Sequence, residues 1–252
     1  MNQDEVRISG LTGKVVVVTG SSSGIGEATA RLASVSGAKV VLNSSSTPDA
    51  GRALAASLPN AVYVQANISE EAGASAIAKA ALDAFGAIHV LVNNAGTTAV
   101  IPHHDLEAVS LELWHRILDV NVIGTWLVTM ACLPALRASG DGSIINVTSM
   151  AGLRPVGSSI PYSVSKAALN QLTELLAKQV GPEVRVNAIA PGLIETPWTS
   201  DWDTQHAGIR AMAPLKRSGT AFDCAHAILS AAVSPYMSGA IIAVDGGSRL
   251  VL

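Results

Sequence analysis

Seven short runs of β-branched and apolar residues recur along the chain, at Val15 to Thr19, Val40 to Leu42, Val62 to Ala66, Val90 to Asn93, Ser143 to Thr148, Arg185 to Ala190 and Ala240 to Val244. Several are nearly continuous in apolar residues, which suits strands covered on both faces rather than strands with one wet side. Strands of that kind belong to parallel sheets, and parallel neighbours need crossover connections. The intervening stretches supply them, being rich in Ala and Leu with apolar residues three and four apart, the spacing of amphipathic helices. The expected fold class is α/β: a doubly wound, parallel, seven-stranded sheet with helices on both faces. A chain of 252 residues fits a single domain of this type, spanning 1–252.

Charge and cysteine content narrow the partners. There are 16 basic and 19 acidic residues, a net charge of −3, with no block of like charge that could follow a phosphate backbone, so nucleic acid is not an expected partner. Cys132 and Cys224 lie far apart and outside any CxxC or Cys/His cluster, which predicts reduced core thiols and no metal site. The N-terminus, MNQDEVRISG, lacks the basic start and apolar run of a secretory signal. No segment reads as an apolar run of about 18 residues, so no membrane span is expected and the location is predicted to be cytoplasmic. Val122 to Leu136 is apolar nearly all round, which predicts burial in the core or against another copy, hence a homo-oligomer. The stretch 193–219 shows no periodicity and is expected to be a substrate loop.

The first strand leads through Thr19-Gly20-Ser21-Ser22-Ser23-Gly24-Ile25-Gly26 into a helix over Glu27 to Ser34. Strand, glycine turn and helix start stand in the order of a Rossmann-type dinucleotide site. Gly20 suits the tight turn, Gly24 lets the backbone approach a pyrophosphate, and Gly26 allows close helix-to-strand packing. The helix N-terminus offers free N–H groups to the phosphates. The G-x3-G-x-G spacing differs from the commoner G-x-G-x-x-G, and a merely flexible loop is the bland alternative. After the second strand an acid would bind the adenosine ribose and repel a 2′-phosphate, but the chain has Asn43 followed by Ser44, Ser45 and Ser46. Those serines favour NADP over NAD, although Thr47-Pro48-Asp49 would also fit an ordinary polar turn.

Tyr162 and Lys166 stand at i and i+4 on an expected helix reaching about Val180, and so share a face. A tyrosine with an ordinary pKa near 10 is a poor base at neutral pH, and a neighbouring ammonium stabilises its phenolate. Ser149 precedes Tyr162 by 13 residues and sits at the C-terminal end of a strand, where open α/β sheets place their ligands. Each has a bland reading alone, since a helical Lys is usually solvated and a Ser after a strand often caps a turn. Together they point to proton transfer at a substrate oxygen.

With these motifs in order, the chain resembles the short-chain dehydrogenase/reductase family over essentially its whole length. Thr19 to Gly26 matches the family's TGxxxGIG loop, Asn93-Asn94-Ala95-Gly96 its NNAG motif, and Ser149 its catalytic serine. Tyr162 and Lys166 match its YxxxK pair, and Pro191-Gly192 its PG motif. The resemblance implies an NAD(P)-dependent oxidoreductase interconverting a ketone and a secondary alcohol, and it is broadest to 3-oxoacyl-acyl-carrier-protein reductases and to the alcohol and sugar dehydrogenases beside them. It implies that Asn121 kinks a helix and holds a water in a proton relay to Lys166, and that Lys166 also binds the nicotinamide ribose. Ile194 and Thr196 would meet the carboxamide, and Ser22, Ser23 and Ile25 the phosphates. Asn94, Ala95 and Gly96 would line the adenosine side. After the third strand, Asn67-Ile68 stands where the family commonly has an Asp on the adenine, and the Asn67 amide oxygen is expected to take over that hydrogen bond.

Two rival classes are a catalytically silent NADP sensor, which would have no need of the three chemical residues, and an epimerase or dehydratase of nucleotide sugars, which also uses Tyr-x-x-x-Lys. Within the family's own chemistry, the alternative is an alcohol or sugar dehydrogenase working in the oxidative direction with NAD. Substrate identity is expected to reside in 193–219, where Trp198 and Trp202 could close over an apolar ligand or merely pack the loop, with help from Ala151 to Ile160 and Thr97 to His104. His103 and His104 read as loop surface. Arg154, Arg210, Lys216 and Arg217 are the candidates for a patch that docks an acyl-carrier partner.

Overall fold

A computed structural model describes residues 6–251; the first five residues of the polar N-terminus considered above lie outside them. The seven expected strands form one parallel sheet in the order β3-β2-β1-β4-β5-β6-β9, comprising β1 (Val15–Val18), β2 (Lys39–Ser44), β3 (Ala61–Gln65), β4 (Val90–Asn93), β5 (Gly142–Val147), β6 (Val184–Pro191) and β9 (Ile241–Val244). Strand residues alternate between two cores, as the two-residue pleat requires. Val16, Val18, Val40 and Leu42 face α1 (Gly24–Val35) and α8 (Ala221–Val233). Val15, Val17 and Val41 face the other layer, built from α3 (Glu71–Phe85), α5 (Thr125–Ala138) and α6 (Ile160–Val180). Helix α2 (Pro48–Ser57) connects β2 to β3.

The order reverses between β1 and β4, so a crevice opens at the carboxyl ends of these strands, the place where open α/β sheets bind ligands. Two expectations change. Residues 193–219 hold regular structure instead of a featureless loop: β7 (Ile194–Glu195) pairs with β8 (Gly219–Thr220), and α7 (Asp203–Met212) lies between them. Its apolar face is too short and too exposed to leave a periodic signature, since His206 is the buried residue of that helix. Helix α4 (Leu111–Leu118) also runs through a π-helical turn, Asp119–Gly124, straight into α5. The composite Leu111–Ala138 is long and apolar enough to cross a membrane by length and composition, contrary to the expectation from sequence. Asp119 and Asn121 interrupt the apolar run and hide that length. Its inward side, through Ile117, Val128, Cys132 and Leu136, is buried in the core.

Helix α8 is fastened at its start. The Thr220 hydroxyl accepts from the Asp223 N–H at 3.2 Å, the Asp223 carboxylate accepts from the Thr220 N–H at 2.7 Å, and Arg217 grips both Asp223 oxygens at 2.7 and 3.1 Å. The guanidinium holds the Asp223 carboxyl down to about 2, below its ordinary 3.8. Asp223→Ala is expected to cost about 1–2 kcal/mol at neutral pH, mostly through the lost cap, read as a lower urea midpoint. A carboxylate with a depressed pKa stabilises the fold above its unfolded pKa and ceases to do so as pH falls through its folded one. The wild-type and variant curves should therefore converge between about pH 4 and pH 2.

Candidate active site

The crevice is a cavity of about 860 Å³. Its floor is the glycine turn. Gly20 and Gly24 have φ of +60° and +57°, a backbone that side chains rarely adopt, and a Cβ on Gly20 would lie 2.7 Å from the Ala95 backbone. Ser23 precedes α1 without capping it, which leaves first-turn N–H groups uncapped where Ser23, Gly24 and Ile25 line the cavity. A pyrophosphate fits such a cradle. Thr19 locks the turn to β4, its hydroxyl accepting from the N–H groups of Asn94 at 3.0 Å and Ala95 at 3.1 Å.

Nearly all the residues singled out from sequence line this one cavity: Gly20, Ser22, Ser23, Gly24, Ile25, Ser44 to Ser46, Asn67, Ile68, Asn94 to Gly96, Ser149, Tyr162, Lys166, Pro191, Gly192, Ile194 and Thr196. Gly26 does not. It is buried beneath the turn, where a Cβ would collide with the Gly20 carbonyl at 2.3 Å, so its part is packing. Asn121 does not line it either.

Two polar expectations need correction. The Ser44 hydroxyl is buried and bonded to the Tyr63 hydroxyl at 2.8 Å, leaving Ser45 and Ser46 as the exposed serines of that corner. The Asn67 amide oxygen already accepts from the Ser69 N–H and hydroxyl, at 3.2 and 2.9 Å, while its NH2 donates to Glu70 at 2.9 Å. The side chain is thus committed to the turn that opens α3 instead of reaching toward an adenine. Sequence reasoning also missed Thr47, whose hydroxyl meets that of Ser22 at 2.7 Å, because a lone Thr in a polar turn gives no signal.

Tyr162 and Lys166 occupy the first turns of α6, which starts at Ile160 with Ser159 as its cap. Lys166 is 4 % exposed, and its ammonium donates to the Val147 carbonyl at 2.9 Å and stands 5.7 Å from the centre of the Tyr162 ring. Burial lowers its pKa to about 8, because an ammonium removed from water loses solvation. Burial raises the Tyr162 pKa, with the Ser149 hydroxyl acting in the opposite direction. The phenol therefore holds its proton while the lysine beside it is close to titrating. Ser149 caps the short turn Met150–Gly152, its oxygen accepting from the Ala151 N–H at 3.1 Å.

Asn121, in the π-helical turn, is fully buried. Its oxygen accepts from the Thr97 N–H at 2.7 Å, and its NH2 donates to the Thr97 carbonyl at 3.1 Å and the Ser165 hydroxyl at 2.9 Å. It ties the loop after β4 to the residue next to Lys166 and makes no direct bond to the ammonium. His104 is exposed as expected, but His103 is half-buried and its Nε2 is enclosed without a partner among the described residues, so its ring is not simple loop surface. Of the four basic candidates for a docking patch, Arg210 faces Glu195 at 3.7 Å, Arg217 is held by Asp223, and Lys216 donates to the Ala211 carbonyl at 2.8 Å. Two of the four thus have acidic partners, while Lys216 keeps its charge and Arg154 is exposed with no ion pair among the described residues.

Comparison with known proteins agrees with this geometry. A family model described as enoyl-(acyl carrier protein) reductase matches residues 20–249. The chain is 49% identical over 242 residues to the protein named "Granaticin polyketide synthase putative ketoacyl reductase 2" from Streptomyces violaceoruber, covering 94% of this chain and 96% of that one. It is 38% identical to the 3-alpha-(or 20-beta)-hydroxysteroid dehydrogenase of Mycobacterium bovis, covering 94% and 90%. A crystal structure of a short-chain dehydrogenase/reductase from Brucella melitensis, described as a glucose/ribitol dehydrogenase, superposes with a TM-score of 0.88 at 32% identity, over 94% of this chain and 96% of that one. The chain belongs to the short-chain dehydrogenase/reductase family. It is an oxidoreductase of the carbonyl/alcohol type, and the family fold implies a nicotinamide cofactor.

The buried Asn121 network yields a stability prediction. Asn121→Ala removes three buried hydrogen bonds and leaves the Thr97 amide without its partners, so a loss of about 2–3 kcal/mol is expected by chemical denaturation.

Proposed function

We propose that the chain is a ketoreductase that prefers NADP, with Ser149, Tyr162 and Lys166 as its catalytic residues and Asn121 as a positioning residue. The observation that carries this reading is geometric: Ser149, half-buried Tyr162 and buried Lys166 line one cavity, with the Lys166 ammonium 5.7 Å from the centre of the Tyr162 ring, and the opposite end of that cavity is a phosphate cradle. A bound dihydronicotinamide supplies the hydride. The chain's own groups do the rest: Ser149 and Tyr162 hold the substrate oxygen, and the Tyr162 phenol gives its proton to the oxygen as negative charge develops there. The Lys166 ammonium stabilises the phenolate left behind. Asn121 fixes Ser165 and Thr97, so that the helix carrying Lys166 and the loop after β4 keep their spacing.

The NADP preference rests on the end of β2. No acidic side chain lines the cavity there, Ser45, Ser46 and Thr47 are exposed, and the nearby Asp49 is paired with Arg52 at 2.8 Å. The relatives named as a ketoacyl reductase and a hydroxysteroid dehydrogenase support carbonyl chemistry at a ring or chain ketone. We further propose a cytoplasmic homotetramer or homodimer. Ile123, Trp126 and Met130 stand exposed at helical spacing along one side of the composite helix, an apolar stripe suited to a second copy, and the two cysteines are buried free thiols.

Titration with NADPH and NADH is expected to show tighter NADPH binding, and Ser45→Asp is expected to weaken NADPH by about tenfold or more, through repulsion of the 2′-phosphate, with little effect on NADH. Equal affinities would remove the NADP assignment. Tyr162→Phe should keep cofactor binding and lose turnover by at least about a hundredfold. In wild type, kcat/KM for ketone reduction should fall as pH rises through about 8, as Lys166 loses its charge.

A further inference from the structure

Resting on the carbonyl-reductase reading, we infer that the substrate is a bulky, electrically neutral ring ketone, fused or aryl-bearing, which binds free rather than through an anionic handle. Among the described residues lining the cavity, Lys166 is the sole Lys, Arg, His, Asp or Glu, and its ammonium donates to the Val147 carbonyl. A carboxylate or phosphate on the substrate side would lose its water and find no countercharge. The basic residues near helix α7 do not supply one inside the cavity, since Arg210, Lys216 and Arg217 do not line it, nor does Arg154, and Arg210 and Arg217 face Glu195 and Asp223.

The walls themselves are apolar and broad. Ile101, Val156, Trp198, Trp202, Ile209 and Met212 surround the space beyond Tyr162. Trp198 and Met212 remain 47 % and 43 % exposed although they line the cavity, so apolar surface stands open with nothing among the described residues to cover it. The Trp198 ring meets the Tyr162 ring edge-on, at 6.5 Å between centres and 67° between planes. A carbonyl held at the Tyr162 hydroxyl therefore has an indole beside it among the apolar residues that line the cavity, a setting that favours a broad ring body over a thin flexible chain.

Hydroxyls on these walls are mostly occupied. Thr98 and Ser158 bond to each other at 2.5 Å, and Thr199 donates to the Ile194 carbonyl at 2.6 Å. Gln205, on the flap helix α7, lines the cavity with no side-chain hydrogen bond among the described residues, and it is the group available to a distant hydroxyl or carbonyl on the ring system.

The test is steady-state kinetics of the full chain at saturating nicotinamide, on 2-tetralone, trans-2-decalone, 2-butanone, acetoacetyl-coenzyme A and the neutral acetoacetyl-N-acetylcysteamine. The bicyclic ketones are expected to exceed 2-butanone by at least about a hundredfold in kcat/KM, with the coenzyme A thioester no better than the neutral one. Trp198→Ala should lower the bicyclic-to-butanone ratio by about tenfold. Equal values for 2-tetralone and 2-butanone, or a clear preference for the coenzyme A thioester, would overturn the inference while leaving the reductase reading intact. If no ketone turns over, the reductase reading fails and the inference falls with it. Where ketones do turn over, quenching of tryptophan fluorescence by 2-naphthol, weakened in Trp198→Phe with Trp202 still in the cavity, supports the ring-binding wall, and no quenching in wild type rejects it.

Discussion

Seven strands that all point the same way fix where chemistry can happen. Because the sheet is parallel and reverses its order between β1 and β4, every strand delivers its following loop to one edge. The glycine turn after β1, the serines after β2, the Asn94 to Gly96 segment after β4, Ser149 after β5 and Pro191-Gly192 at the end of β6 are far apart in sequence and adjacent in space for that single reason. The two apolar cores hold the sheet from both sides, so the edge is presented by a rigid support.

Behind that edge lies a buried polar spine that keeps the middle of the sheet in register with the helices. The Asn93 NH2 donates to the Thr129 hydroxyl at 3.0 Å and the Asn146 oxygen at 2.9 Å, and the Asn146 NH2 donates to the Thr173 hydroxyl at 2.9 Å. The chain thus links α5, β4, β5 and α6 in one line. Such networks rigidify what they connect, although here the Asn93 amide oxygen is buried with no partner among the described residues. With Asn121 bonded to Thr97 and Ser165, they anchor α6 at two levels, below and beside Lys166, and so fix the position of the helix that carries Tyr162.

The lysine shows how position becomes reactivity. An ammonium placed on the surface would stay charged far above neutral pH, but burial against the Val147 carbonyl brings it to about 8. The same burial raises the tyrosine beside it. Desolvation disfavours the charged form of each group, so it keeps the Tyr162 phenol protonated while it brings the Lys166 ammonium within reach of neutral pH. The apolar surroundings that make the site tolerant of a hydrophobic ligand are also what tune the proton chemistry.

Much of this was legible beforehand. The β-branched runs set the strands to within a residue or two, because burial on both faces leaves a continuous apolar signature, and the glycine turn, Ser149, Tyr162 and Lys166 were readable because their chemistry requires those residue types at those spacings. The flap helix α7 was not readable, since it buries little of its own surface and leaves no periodic trace. Nor were the fates of individual polar atoms: Ser44 turned to Tyr63, Asn67 to Ser69 and Glu70, the flap cations to Glu195, Asp223 and the Ala211 carbonyl. By itself the sequence determined the fold class and the order of the main strands, and it singled out Ser149, Tyr162 and Lys166, which the fold brings to one cavity, because these follow from local pattern. The tertiary structure alone decided which hydroxyls and charges remain free to meet a ligand, because a hydrogen bond to a residue distant in the chain has no local signature.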